Sequence, residues 1–521
     1  MKKLLAVILV LVMALSLVAC TNTGADKGSE EAQTTADAQT TADAGTEKKE
    51  EGGEAASDPS TWPVIRQELL GWKEDTARKE EVNKALNDYL VSINAGVQVE
   101  FVTLSDRNTQ LTLMLTDPDQ GIDLFGWRFY STVSDLVKND QIISLEKYRY
   151  VYPDLWELFP EPVYLTQQIN GEQYSMPAAD AFGGILVYNL RSDIVEEIGA
   201  TDLIGKKITM EQLEEMLVKA EAIHPELDYI PNSDFPTLMN IDDFGDSKEL
   251  GVLLNRGIGQ DKIVNWYASD EFREVCERMK RWADEGLFVV DPLNNTTGSI
   301  DDNQSGGSAF DAYCAEYAQA IQDAQIRKYK VNVFELSDWV GTNSNVVNGF
   351  VISSVCKNPD AAMKLLYLEM TDPNVARFFT LGIEGVTYKV LENGTSTYAD
   401  GITDDNVGFN LTAAWWYPNP TLSAPFNTDY AEYYTNMKKC WDYPAEYFSN
   451  GMGFVFDSSK VLDQYLACGA TVDTYKKALM YGQVDIDSTL EKFNKELQDN
   501  GIDEIIAEMQ RQFDEFLASK K

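Results

Sequence analysis

Apolar stretches with strand-like and helix-like spacing alternate along the chain after residue 60. Residues 97–104 alternate apolar and polar side chains over most of their length, and residues 121–126 form a short apolar run with glycine at each end. These patterns predict two strands, with a helix over residues 110–115 between them. Residues 184–189 predict a further strand, followed by helices around Ile194 and over residues 210–221. Strands that alternate with helices favour an α/β fold.

The C-terminal half carries clearer helix signals. Asn358-Pro359 predicts an N-cap followed by proline in the first helical turn, and Asp372-Pro373 repeats the arrangement. Ser488 and Glu491 have the spacing of a capping box. Apolar residues at helical spacing predict core-facing stripes rather than cofactor sites. The stripes are Met363, Leu366, Tyr367 and Met370; Leu490, Phe493 and Leu497; and Ile502, Ile505, Ile506, Met509, Phe513, Phe516 and Leu517.

The first 60 residues predict a processed and tethered N-terminus. Lys2 and Lys3 precede a nearly unbroken apolar run from Leu4 to Val18, which is short for a membrane span. The run ends in Leu17-Val18-Ala19-Cys20, which resembles the lipobox of bacterial lipoproteins. We therefore expect a signal peptide over residues 1–19 and lipidation of Cys20, with a plain secretory signal and a free Cys20 as the alternative. Residues 20–60 are polar and acidic and predict a disordered tether.

Composition excludes several classes of function. The formal charge of −41 repels phosphate backbones, which excludes nucleic acid as a ligand. The chain has a single histidine, His224, so a Ser-His-Asp, Cys-His or multi-histidine metal site is hard to assemble, and we interpret His224 as a helix-terminus residue. Residues 301–312 begin like a calcium loop, but the twelfth position is Ala312 instead of glutamate. The cysteines after Cys20 are interpreted as small buried apolar residues: Cys276, Cys314, Cys356, Cys440 and Cys468.

Several segments, in order along the chain, resemble the bacterial extracellular solute-binding proteins of family 1, which supply sugars to ABC importers. Residues 169–177 resemble a hairpin of that family, residues 184–193 its strand-to-helix step, and residues 208–213 a helix start. Residues 348–388 resemble the signature of a subgroup with an extra C-terminal domain of unknown function. Residues 453–457 resemble the opening of that domain.

The resemblance implies an α/β fold of the two-lobe, type II kind, which closes by a hinge on a ligand in the cleft between the lobes. We expect residues 61–180 with about 330–356 to form lobe 1. Residues 181–329 with about 357–440 are expected to form lobe 2, and residues 441–521 a C-terminal helical extension. The expected partners are a carbohydrate ligand and the transmembrane subunits of an ABC permease. We expect no cofactor, no metal site and a monomeric protein.

A sugar offers apolar C–H faces and a rim of hydroxyl groups, so its site needs flat aromatic rings together with carboxylates, amides or arginines. Trp127, Arg128 and Tyr130 follow a predicted strand, where α/β sheets present ligands. We interpret the two rings as stacking groups and Arg128 as a clamp for hydroxyl or carboxylate groups. Packing against a neighbouring helix is the alternative for each of them.

Four further segments supply candidates. Asp180 lies at an expected crossover between the lobes and could accept two sugar hydroxyls or serve as a turn residue. Trp339 lies near another crossover, in the site or in the core. Glu384 stands between glycines, where ligand and backbone can approach closely. Trp415 and Trp416 are adjacent, so at least one of them is expected to face the cleft, although Pro418 replaces the glycine that is usual in the subgroup.

Three other functions are compatible with the same features. Abundant carboxylates allow a glycoside hydrolase, although no local motif marks an acid and a base. The protein could instead bind another solute, such as a peptide, a polyamine or an anionic sugar. It could also hold glycans at the cell surface without serving transport. The resemblance favours a binding protein without catalytic residues, anchored by lipid on the extracellular face of the cell membrane.

Overall fold

The computed structural model describes residues 58–69, 76–230, 240–246, 248–294, 306–312, 329–346, 348–409, 411, 416–428 and 430–520. The predicted signal peptide, Cys20, most of the predicted tether and Trp415 lie outside these residues. Thirteen helices lie within the described residues and are numbered in chain order: α1 Thr76–Ser92, α2 Arg107–Met114, α3 Val133–Lys138, α4 Glu161–Leu165, α5 Ser192–Glu197, α6 Met210–Ile223, α7 Asp270–Asp284, α8 Pro359–Thr371, α9 Pro373–Thr380, α10 Tyr433–Lys439, α11 Leu462–Met480, α12 Ile486–Asp499 and α13 Ile502–Ser519.

The strands are numbered in the same way. They are β1 Val64–Glu68, β2 Gln98–Val102, β3 Leu124–Gly126, β4 Gln168–Ile169, β5 Glu172–Gln173, β6 Met176–Pro177, β7 Ile185–Arg191, β8 Ile241–Asp242, β9 Gly251–Leu254, β10 Val264–Asn265, β11 Gly307–Ala312, β12 Val331–Glu335, β13 Gly349–Ile352, β14 Tyr388–Val390 and β15 Ser396–Tyr398. The strands predicted over residues 97–104, 121–126 and 184–189 are confirmed as β2, β3 and β7. The helices predicted over residues 110–115 and 210–221 are confirmed as α2 and α6.

The first lobe is built around a five-stranded sheet with the order β2-β1-β3-β13-β6. β1 pairs in parallel with β2 and β3, and β13 pairs antiparallel to β3 and to β6. β2 alternates buried and exposed side chains, as its apolar-polar pattern predicts. The returning strand β13 therefore lies beside β6, the strand at which the chain leaves the first lobe.

The second lobe contains two antiparallel three-stranded sheets, with the orders β11-β7-β12 and β10-β9-β8. Every residue of β7 is buried, in agreement with its mainly apolar sequence, in which Asn189 and Arg191 are the polar exceptions. Helix α6 begins with a capping box between Thr209 and Gln212 and ends at His224, as expected for the histidine. The imidazole Nε2 of His224 lies 2.6 Å from a carboxylate oxygen of Glu197.

Two large hydrophobic cores are centred on the two lobes, and the first also includes Ile185 and Val187 of β7 and Val333 of β12. The first core joins the five-stranded sheet to α1, α8 and α9, and the second joins β7 to α6 and α7. Helices α11, α12 and α13 also pack in the second core, where α11 and α12 contact α7. The C-terminal extension is therefore part of the second lobe's core.

The packing corrects three expectations from the sequence. Residues from about 330 were expected in lobe 1, but β12 pairs with β7 in a sheet of the second lobe. Residues 357–440 were expected in lobe 2, but α8 packs against β1 and β13, and α9 packs against α1. The apolar stripe on α8 could pack against the sheet of either lobe, so the sequence pattern did not show to which lobe the helix belongs. Ser488 is not an N-cap: the cap is Asp485, whose carboxylate accepts from the Ser488 N–H at 3.0 Å, and α12 begins at Ile486.

Three segments cross between the lobes: residues 178–184, 336–346 and 441–452, named the first, second and third crossing segments. The first and second exchange backbone hydrogen bonds between Gly184 and Val340, at 3.0 and 3.1 Å. Gly341 in the second donates to the Tyr447 carbonyl and accepts from Ser449 N–H in the third, at 2.9 and 2.8 Å. These bonds tie all three segments to one another.

Two further features bear on the predicted setting of the protein. Over the residues that the structure describes, no helix combines the length and apolarity needed to cross a bilayer. Cys276, Cys356 and Cys468 carry free thiols, and Cys440 is buried. Cys276 and Cys468 are fully buried, in agreement with their interpretation as small apolar residues.

Candidate ligand-binding site

The ends of β1 and β3 and the start of α2 meet at one edge of the five-stranded sheet. Glu68 ends β1, Gly126 ends β3, and Arg107 opens α2 shortly after β2. Because these three strands are parallel, their carboxyl ends lie at the same edge, where α/β sheets present ligands. The candidate site is built on this edge.

Arg107 is the central cation of the edge. Its Nε donates to Oε1 of Glu68 at 2.5 Å and its Nη2 donates to Oε2 at 3.0 Å, which makes a bidentate pair. The same guanidinium donates to the carbonyl oxygens of Gly126 and Arg128, at 2.5 and 2.9 Å. The Glu68 side chain is buried, and loss of hydration raises the pKa of its carboxyl while the Arg107 contacts oppose that rise.

An aromatic pair lies beside Arg107 and is named the aromatic step: Phe129 and Trp416. The two ring centroids are 5.1 Å apart with the planes at 64°, an edge-on arrangement. Trp416 is buried, whereas Phe129 is 65% exposed and has a φ of +58°. The guanidinium carbon of Arg107 lies 5.9 Å from the Trp416 ring centre, and that of Arg128 lies 4.7 Å from the Phe129 ring centre.

Trp127 and Tyr130 face the body of the first lobe. Trp127 is half-buried, and its Nε1 donates to Oγ of Ser175 at 3.0 Å. Tyr130 is half-buried, its hydroxyl lies 3.2 Å from Oγ1 of Thr112, and its ring meets Phe125 edge-on. Tyr130 thus has the helix contact that the alternative interpretation expected, whereas Trp127 bonds a residue between β5 and β6. The exposed ring of this loop is Phe129.

Trp339 is buried in the second crossing segment beneath another aromatic ring. It stacks on Tyr443 with centroids 4.2 Å apart and planes within 5°, and it meets Phe448 edge-on at 5.3 Å. Tyr443 and Tyr447 on the third crossing segment are exposed. Tyr443 therefore presents the outer face of this stack.

The remaining candidates lie in turns. Asp180 is in the first crossing segment, where its Oδ1 accepts from the Ala181 N–H at 2.7 Å and its carbonyl accepts from Trp441 Nε1 at 2.6 Å. Glu384 is exposed in the turn between α9 and β14, beside Gly385, whose φ is +77°. Asp180 therefore has the turn geometry that was one of its two alternatives, and Glu384 stays a candidate in a glycine-flanked turn.

The sequence did not single out Glu68, Arg107, Phe129 or Tyr443, which the structure places at the candidate site. Phe129 lies between two residues that were proposed, and only its left-handed backbone directs it outward. Arg107 could have been suspected from its place at a helix start after a strand. No group of three or more His, Cys, Asp or Glu residues in the described parts of the chain could hold a metal ion.

Residues 450–518 match a protein family described as a domain of unknown function, DUF3502. A carbohydrate ABC transporter substrate-binding protein of Streptococcus pneumoniae is 22% identical over 481 residues, which cover 89% of this chain and 93% of that protein.

Among solved structures, the N-glycan transport solute binding protein of Streptococcus pneumoniae is similar to this chain. It has a TM-score of 0.74 and 20% identity, over 88% of this chain and 100% of that one. The same protein in complex with Man1GlcNAc gives a TM-score of 0.67 and 19% identity over the same shares of the two chains. These comparisons confirm the fold that the sequence predicted: the chain has the two-lobe, type II α/β fold of these solute-binding proteins, and its residues 450–518 match the DUF3502 family.

Proposed function

We propose that the protein is the substrate-binding component of an ABC importer and captures a carbohydrate, an oligosaccharide, between its two lobes. The related pneumococcal proteins are named for carbohydrate and N-glycan transport, and one of them is described with a mannose-containing ligand. Their likeness extends over nearly the whole of both chains. In this proposal, closure of the lobes on the sugar creates the form that the permease subunits recognise.

The observation that carries the proposal is the exposed ring of Phe129 at the carboxyl edge of the sheet. A large apolar ring that is 65% exposed, held edge-on against Trp416, offers a flat surface to the C–H face of a sugar. Arg128 lies over the same ring and can donate to hydroxyl groups at its rim. Asp180 and Tyr443 on the crossing segments are proposed to contact the ligand from the hinge side.

The proposal includes a lipid anchor. The apolar run and the lipobox-like ending at Cys20 support cleavage of residues 1–19 and acylation of the cysteine, palmitate included. Two acyl chains retain a protein far more strongly than one, so the mature protein would stay on the extracellular face of the membrane. Labelled palmitate should enter the wild-type protein in cells but not a Cys20→Ala variant, which should appear in the medium.

Binding is tested by calorimetric titration of the purified chain with mono- and oligosaccharides, with peptides and polyamines in parallel. Phe129→Asn removes the ring but keeps a residue that tolerates the left-handed backbone. We expect it to weaken oligosaccharide binding at least about tenfold, or about 1.4 kcal/mol, with an unchanged unfolding midpoint. Tyr150→Asn is the matched control, because Tyr150 is an 85% exposed ring of the same lobe.

The outcomes separate the possible functions. Binding of peptide or polyamine alone would replace the carbohydrate proposal with another solute class. Equal loss of affinity in Phe129→Asn and Tyr150→Asn would remove the aromatic step from the site. New reducing ends after incubation with oligosaccharides would show a glycoside hydrolase in place of the proposed non-enzymatic binding protein. Light scattering of the purified chain tests the monomeric state that we propose with this function.

A further inference from the structure

We propose that Arg107 and Glu68 form a positioning pair that holds the aromatic step in its binding orientation, a role that rests on the proposed function. The guanidinium of Arg107 contacts three regions that are far apart in sequence: the end of β1, the end of β3 with the loop that follows it, and the Trp416 segment. It thereby links both rings of the step to the edge of the sheet.

The loop that carries Phe129 requires such a link. Phe129 has a φ of +58°, a conformation that a bulky side chain adopts only when its surroundings hold it there. Arg107 donates to the carbonyl oxygens of Gly126 and Arg128, on either side of Trp127 and directly before Phe129. These two bonds fix the backbone that enters the left-handed residue.

Arg107 also lies beside the second ring of the aromatic step, Trp416. Trp416 lies nearly 300 residues along the chain from Phe129, and the Arg107 guanidinium lies 5.9 Å from the centre of its ring. An arginine without a carboxylate partner could adopt several side-chain conformations. Here the buried Glu68 carboxylate fixes the Arg107 guanidinium by two hydrogen bonds. Only a planar fork with several donors can satisfy the carboxylate and both carbonyl oxygens together.

The proposal predicts that Arg107→Lys loosens the loop even without ligand. Lysine keeps the charge but cannot bond the carboxylate and two carbonyl groups in one plane. In the wild type the Tyr130 N–H donates to the Trp127 carbonyl oxygen at 3.1 Å, and this bond slows exchange of the amide hydrogen. Hydrogen-deuterium exchange of a peptide covering residues 127–131 should therefore be faster in Arg107→Lys than in the wild type. Arg149→Lys is the matched control, since Arg149 pairs with Glu146 at 2.9 Å in the same lobe.

A double-mutant cycle tests whether the pair acts through the aromatic step. Arg107→Lys alone should weaken oligosaccharide binding about tenfold, and in the Phe129→Asn background the same change should have little further effect. Glu68→Gln should show the same coupling and serves if Arg107→Lys folds poorly, which its unfolding midpoint would reveal. An undiminished loss in the Phe129→Asn background would overturn positioning in favour of a direct contact with ligand.

Failure of this proposal can be told apart from failure of the proposed function. If Phe129→Asn loses affinity while Arg107→Lys and Glu68→Gln bind normally, the pair is only structural and the binding function stands. If no carbohydrate binds to any form, the proposed function fails, and exchange of residues 127–131 still decides the positioning role. Unchanged exchange in both Arg107→Lys and Glu68→Gln would overturn it.

Discussion

Glu369 is a carboxyl group buried in the core of the first lobe, and its ionisation should make the stability of the protein depend on pH. The side chain is 2% exposed on α8, and its Oε2 accepts from Gln67 Nε2 on β1 at 2.9 Å. Within the described residues, Oε1 has no hydrogen-bond partner. Loss of hydration raises the pKa of Glu369 from 4.5 to about 8, and the bond from Gln67 opposes the rise.

The sign and size of the effect follow from these two pKa values. Between pH 4.5 and about pH 8 the folded chain keeps the Glu369 proton and the unfolded chain releases it, so the free energy of unfolding falls as pH rises. One pH unit corresponds to about 1.4 kcal/mol, so the loss reaches about 3 kcal/mol at pH 7 and levels off near 5 kcal/mol above the folded pKa.

Glu369→Gln should remove this loss while keeping a hydrogen bond with Gln67. We expect the variant and the wild type to have similar free energies of unfolding near pH 4.5, and the variant to be more stable by about 3 kcal/mol at pH 7. Urea unfolding followed by fluorescence, from about pH 5 to about pH 9, measures the difference directly. Subtracting the two curves cancels other groups, such as the buried Asp242, whose pKa burial raises to about 6.

Glu392→Gln is the matched control, because it makes the same chemical change at an exposed position. It should leave the dependence of stability on pH unchanged. A wild-type minus Glu369→Gln difference that stays constant across the pH range would refute the reasoning. It would mean that Glu369 is ionised in the folded protein throughout, or that the core opens to water around it.

Two glycine substitutions should change stability in opposite directions. A Cβ at Gly341 would collide with the Phe448 ring and lie 3.1 Å from the Phe182 carbonyl oxygen, so we expect Gly341→Ala to lower the free energy of unfolding by about 1–3 kcal/mol. Gly469 lies inside α11, where the nearest side-chain atom to a Cβ is 3.6 Å away on Lys248, so Gly469→Ala should raise it by about 0.5–1 kcal/mol. Urea unfolding at one pH measures both, and a shift of the same sign in the two variants would contradict the packing argument.

Local signals in the sequence predicted the elements well, because alternation and capping act within a few residues. The β2 strand and helix α6 follow directly from their own patterns. The lobe to which α8 belongs could not be predicted in this way. Its stripe of Met363, Leu366 and Met370 specifies a buried face, but the sheet that covers that face is set by contacts with residues about 300 positions away.

The same difference between local signals and long-range contacts explains how much of the candidate site the sequence predicted. The sequence identified the loop after β3 and the Trp416 segment, since strand ends and clustered aromatics are local features. It could not show which ring faces outward, because that depends on the left-handed backbone at Phe129 and on the contacts of Arg107. Trp339 was predicted to lie in the site or in the core. It is buried because Tyr443, about 100 residues later in the chain, stacks on it.

The packing also makes residues 450–518, the segment that matches DUF3502, part of the second lobe. The side chain of Asn343, in the second crossing segment, donates to the carbonyl oxygens of Gly451 and Phe454 and accepts from the Gly453 N–H, at 2.9, 3.1 and 2.8 Å. The helices beyond this turn share the core of α7. Separating the domain would expose that core and leave the half-buried amide of Asn343 without these three hydrogen-bond partners. A truncation before residue 450 should therefore unfold the second lobe instead of releasing an independent module.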